Sequence, residues 1–134
     1  MKFLCLAYEE ERVLNELTPD QWRKLREETL GYAESLRASG RLLDARPLQS
    51  ATTAATVRVR RGQRAVTDGP FAETKEQIGG FFLLDVESRE AAVEIAAAWP
   101  SARLGTIEVR PIEEGLDEGG RYASGRAVRP TPVD

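Results

Sequence analysis

A chain of 134 residues with 41% hydrophobic content fits one domain around one core. Its 22 acidic and 19 basic residues leave a net charge of −3 and a pI near 5.2, which argues against a surface built for nucleic acid or for an anionic membrane. Histidine is absent and cysteine occurs once, so Ser-His-Asp and Cys-His catalysis, His-based zinc sites and an internal disulfide are excluded.

Lys2 to Tyr8 is a short apolar run, Lys-Phe-Leu-Cys-Leu-Ala-Tyr, of the kind that forms a strand buried on both faces. Cys5 inside it is expected to be a buried, inert thiol, which suits a reducing compartment. Glu9-Glu10-Glu11 cuts the run too short for a signal peptide, and no stretch reaches the ~20 apolar residues that span a bilayer. A cytoplasmic protein with no membrane or nucleic-acid partner is therefore expected.

Thr18-Pro19-Asp20-Gln21 signals a helix start: Thr as N-cap, Pro at the first helical position, and Gln three residues after the cap. The helix is predicted to run to about Ser39, with Trp22, Leu25, Thr29, Tyr32, Ala33 and Leu36 on the face that packs on a sheet. From Arg41 to Ala55 the pattern weakens, and a loop with room for one short strand is expected. Thr56 to Arg60 and Gln63 to Thr67 alternate about Arg61-Gly62, which predicts a hairpin ended by Asp68-Gly69-Pro70. Phe81 to Val86 reads as a central strand, Ser88 as the cap of a helix from Arg89 to Trp99, and Gly105 to Pro111 as the last strand.

The order β-α-β-β-β-α-β is that of an α+β, ferredoxin-like split βαβ sandwich, an antiparallel sheet with two helices on one face and a hairpin inserted. The uncovered face must meet water or a second copy, and the apolar content of 3–7 and 81–84 favours a homodimer. Residues 1–112 form the domain on this reading. Residues 113–134, rich in Gly and Pro, predict a flexible tail whose Glu113-Glu114 and Asp117-Glu118 are solvated acids; no metal or cofactor is expected.

The unusual stretch is Asp68-Gly69-Pro70-Phe71-Ala72-Glu73-Thr74-Lys75-Glu76, which gathers acids and a base between a rigid turn and Gly79-Gly80. The string DGPFAETKE resembles the signature of the DGPF branch of the YCII-related family. The likeness extends to Met1-Lys2-Phe3-Leu4, Thr56-Val57-Arg58-Val59-Arg60, Gln77-Ile78-Gly79-Gly80-Phe81 and Ile107-Glu108-Val109-Arg110-Pro111. This resemblance implies a dimeric α/β barrel, related to small-molecule isomerases, dehydrochlorinases and monooxygenases, with a ligand-sized cleft near the motif. It also implies a regulatory context, because genes of that branch neighbour those of alternative sigma factors in some bacteria. The His-Asp pair attributed to better-studied members of the wider family cannot carry over to a chain without histidine.

Each residue of the stretch has a structural reading beside the functional one. Asp68 is a turn-former whose carboxylate caps nearby N–H groups, or a ligand-facing acid. Glu73, Lys75 and Glu76, at near-helical spacing, form a solvated face or a site: Glu73 as an acid or base beside Asp68, Lys75 and Glu76 as ligand contacts. Arg58 is a wall for a small anionic ligand or faces water. Phe71 is a core or dimer plug, or a stacking platform. Tyr8 is a proton donor at a pocket mouth, or a buried tyrosine with a satisfied hydroxyl. Two functions follow: a small-ligand protein, with carboxylate acid/base chemistry if it is an enzyme, and a non-catalytic regulatory module that meets a protein partner.

Overall fold

The computed structural model describes residues 1–116 and Tyr122. The chain runs through β1 (Lys2–Glu9), α1 (Glu11–Asn15), α2 (Pro19–Ala38), β2 (Leu42–Pro47), β3 (Ala55–Arg60), β4 (Gln63–Asp68), β5 (Gln77–Asp85), α3 (Arg89–Ala98) and β6 (Thr106–Pro111), with short 3-10 turns at Ala51–Thr53 and Pro100–Arg103. Strands β2-β5-β1-β6 form one antiparallel sheet, and β3 and β4 form a separate two-stranded sheet. Without that hairpin the order is the ferredoxin-like split βαβ arrangement, of the dimeric α/β-barrel type.

The alternation in β1 and β5 builds the core. Phe3, Cys5, Phe82 and Leu84 point to the helix-covered face, where Leu36 of α2 and Ala92, Ile95 and Ala96 of α3 close over them. Phe82 stacks on Trp99 with ring centroids 3.9 Å apart, and Tyr32 meets the edge of the same indole at 5.9 Å. Such pairs add about 0.5–1.5 kcal/mol beyond burial. The thiol of Cys5 lies in this core, and burial pushes its pKa up to about 12, so it is inert.

The predicted caps are present. Thr18 Oγ1 accepts from the Gln21 N–H at 3.1 Å while the Gln21 side chain accepts from the Thr18 N–H at 2.9 Å, and Ser88 Oγ accepts from the Ala91 N–H at 3.1 Å. The hairpin turns at Arg61 (φ 53°) and Gly62 (φ 74°), the paired left-handed conformations that a two-residue connection needs to match strand twist.

One expectation needs correction, and two elements come into focus. The short strand for which 41–55 left room is β2, recruited to the sheet edge by β5 despite its weak alternation. The five-residue α1 follows β1 directly, too short to show a helical period in sequence. Trp22 is half exposed, because only the C-terminal half of α2, at Ala33 and Leu36, reaches the core; at the middle of the helix Glu28 pairs with Arg103 at 2.7 and 2.9 Å. The flexible tail expected for 113–134 lies, beyond Leu116 and apart from Tyr122, outside the described residues.

The two tryptophans therefore separate in energy. Trp99→Ala is expected to cost about 3–5 kcal/mol by removing the stacked core aromatic, whereas Trp22→Ala is expected to stay within about 0.5 kcal/mol. Urea unfolding of both variants checks the pair; equal losses would mean that α2 buries its N-terminal half.

Candidate functional site

A cleft of about 540 Å³ opens between the 48–54 segment, the 70–78 segment and Tyr8. Both segments flank the β3–β4 hairpin, so the hairpin root and the cleft walls are set by the same contacts. The Gly69 N–H donates to the Ala54 carbonyl at 2.7 Å, and Thr56 Oγ1 donates to the Gly69 carbonyl at 2.9 Å. Residues 70–76 are irregular rather than helical, and they are cinched by Gln77, whose Nε2 donates to the carbonyls of Ala72 at 2.8 Å and Thr74 at 3.0 Å. Thr74 Oγ1 donates to the Glu76 carbonyl at 2.6 Å. A loop without repeating backbone bonds thus keeps its shape through side chains.

The opposite wall is pinned from α1. Glu11 accepts from Ser50 Oγ at 2.6 Å and from the Ala51 N–H at 2.7 Å. These bonds, the hydroxyl's first, hold the Glu11 carboxyl below its ordinary value. Leu48 N–H donates to the Gly79 carbonyl at 2.8 Å and ties this wall to β5.

The cleft floor includes Tyr8, which follows Leu4 and Leu6 on the face of β1 that no helix covers. Its hydroxyl donates to Glu108 Oε1 at 3.1 Å, and the other carboxylate oxygen of Glu108 accepts from Arg110 Nε at 3.1 Å and from Arg110 Nη2. The bonds to Arg110 hold Glu108 below the usual carboxylate range against some desolvation, with the Tyr8 bond helping. Desolvation, and then the bond to Glu108, raise Tyr8 above the usual phenol value. At neutral pH the trio is a protonated phenol, a carboxylate and a guanidinium.

The residues singled out in the sequence divide into two groups. Tyr8, Phe71 and Glu76 line the cleft. Asp68, Glu73, Lys75 and Arg58 are exposed and do not line it. Asp68 ends β4 opposite Ala55, and the Arg58 guanidinium lies 5.5 Å from the centroid of the Phe71 ring, a cation–π contact that steadies a 75% exposed aromatic. The acids of the motif therefore do not converge with its base on one cavity. Sequence reasoning passed over Glu108 and Arg110, Glu11 and Gln77. Glu108 and Arg110 carry a faint signal, alternate charges on one face of the last strand, but their partner Tyr8 lies a hundred residues away.

Glu9 adds an unusual carboxylate beside the cleft wall. A bulge between Ala7 and Tyr8 leaves Gly79 extra on β5, and a Cβ on Gly79 would lie 2.5 Å from the Glu9 carboxyl carbon, so glycine there makes room for it. Burial first, and Glu11 second, raise the Glu9 pKa.

Residues 1–115 match the YCII-related domain. The chain belongs to the YCII-related family. An uncharacterised protein of Rhizobium meliloti (strain 1021) is 33% identical over 114 residues, 84% of this chain and 92% of that one. Among solved structures, the 5-chloro-2-hydroxyhydroquinone dehydrochlorinase of Burkholderia phenoliruptrix AC1100, in complex with 2,5-dihydroxybenzoquinone, aligns with a TM-score of 0.53 at 18% identity, over 86% of this chain and 96% of that chain. That likeness establishes that this YCII-related chain shares the fold. Among the described residues no helix is long and apolar enough to cross a membrane.

The raised pKa of Glu9 has a definite sign in stability. Folding favours its protonated form, so the group opposes folding above its folded pKa, and that opposition disappears as pH falls below its unfolded value. Glu9→Gln is expected to raise stability at pH 7 by on the order of half a kcal/mol, given the exposed part of the side chain, and to make no difference near pH 3. Chemical denaturation of both proteins at the two pH values checks this; a loss of stability at pH 7 would show that the carboxylate is paired.

Proposed function

We propose that this YCII-related protein is a homodimeric small-molecule-binding protein whose ligand site is the cleft between residues 48–54, 70–78 and Tyr8. The observation that carries the reading is the cleft itself: about 540 Å³, with apolar walls from Leu48, Pro70, Phe71 and Ile78 and a few polar groups on loops held in place by Gln77 and Glu11. Ligand sites have this composition and this range of size. The dehydrochlorinase of the same fold, solved with a quinone ligand, supports a small cyclic molecule as the occupant. If the site is catalytic, Tyr8 and Glu76 are the proton-carrying groups that line it, since Asp68 and Glu73 do not.

The dimer rests on the sheet face opposite the helices. Leu4 and Leu6 of β1 pair there with Leu83 and Phe81 of β5, all only half-buried in a single chain. Charged pairs flank this stripe, Asp44 with Arg46 on one edge strand and Glu108 with Arg110 on the other. An apolar centre inside a polar rim is the anatomy of a protein interface. Because Tyr8 continues the stripe, a second copy docked on this face would lie over the inner end of the cleft.

A regulatory reading finds support in the β3–β4 hairpin, whose Val57, Val59 and Val66 are more than half exposed on one face. A protein partner covering that arm is compatible with a ligand in the cleft at its root, and a ligand-sensing regulator would unite the two.

Two substitutions test the primary reading. Leu4→Lys is expected to yield folded monomers in sedimentation velocity at micromolar concentration, since the new charge, set between Leu83 and Arg110, must be buried without a partner. Phe71→Ala is expected to leave the urea midpoint unchanged while weakening by about tenfold any small aromatic found by NMR to shift the 70–78 amides, the loss that accompanies removal of one good ring contact. Fragments that shift only amides remote from 48–54 and 70–78 would place the ligand elsewhere.

A further inference from the structure

The arrangement around Tyr8 bears on which molecules the cleft accepts, and the argument rests on the reading of the cleft as a ligand site. A tyrosine hydroxyl has one proton to give and lone pairs to receive. In this chain the proton is committed: it points to Glu108 Oε1 at 3.1 Å. Glu108 is oriented by its second oxygen, which accepts from Arg110 Nε and Nη2. A hydrogen bond to an ionised carboxylate is stronger than one between neutral groups, so a ligand carbonyl or ether does not easily draw the proton back. What Tyr8 offers the cleft is an acceptor.

The ionisable part of the lining agrees. Apart from Tyr8, the ionisable residue that lines the cleft among the described residues is Glu76, another acceptor. Neither Arg58 nor Lys75, the cations that pointed to an anionic ligand, contributes to the lining, and Arg58 is engaged with the outer ring of Phe71. Among the described residues an anion entering here meets a carboxylate and a phenol oxygen with no cation from the walls to balance it. The apolar walls at Phe71, Pro70, Leu48 and Ile78 suit a flat carbon body.

We infer that the cleft selects an uncharged ligand with a flat apolar body and an O–H or N–H edge that donates to the Tyr8 oxygen, the direction of that bond being set by the Glu108–Arg110 pair. Tyr8 is the contacting residue. Glu108 is a positioning residue that acts through it.

The experiment is an NMR titration of the full-length protein with phenol, anisole and benzoate, which share a ring and differ in what they present: a donor, a neutral acceptor and an anion. Wild type is expected to bind phenol about tenfold more tightly than anisole or benzoate, the ratio that one additional hydrogen bond confers. Tyr8→Phe is expected to erase that preference with the fold intact. In Glu108→Gln, the side-chain amide can donate to the Tyr8 oxygen and free its proton for the ligand, so anisole and benzoate are expected to gain on phenol. A purely structural role for Glu108 would weaken all three alike and would overturn its assignment. Equal affinities in wild type, or benzoate binding best, would overturn the donor-ligand inference while leaving the cleft as a binding site. Absence of all three from the 48–54 and 70–78 amides would remove the site and the inference together.

Discussion

Apolar side chains project from both faces of β1 and β5, and most of the architecture answers to that constraint. Phe3, Cys5, Phe82 and Leu84 are covered by α2 and α3, with Trp99 stacked on Phe82 as the largest single cover. Leu4, Leu6, Phe81 and Leu83 face the other way and are only half-buried among the described residues. At roughly 25 cal/mol per Å² of apolar surface, leaving such a stripe in water forgoes a substantial part of the stability a small domain can muster. In the proposed homodimer a second copy is its cover, which a closed symmetric assembly supplies without further sequence. The ion pairs on β2 and β6 then mark where the stripe ends.

The insertion between β2 and β5 turns this sandwich into a frame for a cleft. A hairpin of two strands does not hold itself together in water, so its root must be fastened to the body. The fastening uses backbone bonds at Ala54 and Gly69 and side-chain bonds from Gln77 and Glu11. The same bonds shape the walls at 48–54 and 70–78. The DGPF segment is in this sense an architectural element first: Gly69 and Pro70 make the exit from β4, and Phe71 emerges from it onto the cleft with Arg58 at its back. Its Asp68 and Glu73 face solvent, and Glu76 lines the cleft.

Much of the fold was legible because it was written in local chemistry. The capping box at Thr18, the Ser88 cap and the Arg61-Gly62 turn are each a few adjacent residues whose bonds need no tertiary partner to be foreseen. Strand β2 was faint because its place is owed to β5, and an edge strand with Asp44 and Arg46 has little alternation of its own. Trp22 was misread for a related reason. Helical spacing marks a face but not how far along its length that face is covered. Of the residues singled out in the sequence, Tyr8, Phe71 and Glu76 line the proposed cleft, while Asp68, Glu73, Lys75 and Arg58 lie outside its lining. Glu108 was not singled out, since its importance arises from a bond across two strands between residues far apart in sequence.

A chain without histidine that still carries a cleft must move protons, if it moves them at all, with groups whose ordinary pKa values lie well away from neutrality. The usual remedy is burial of a carboxylate to raise its pKa toward the working range. The motif's Asp68 and Glu73 lie outside the cleft lining, and in addition to Glu76 the cleft carries a phenol made less acidic by burial and by a carboxylate next to it. Such a tyrosine keeps its proton, and a carboxylate fixed by arginine keeps that proton pointed away from the cleft. The arrangement favours recognition over proton release: it fixes which end of a hydrogen bond the protein supplies and leaves the other to the ligand. Proton transfer would require a ligand that displaces Tyr8 from Glu108, so the strength of that bond sets the balance between a binding protein and an enzyme on this frame.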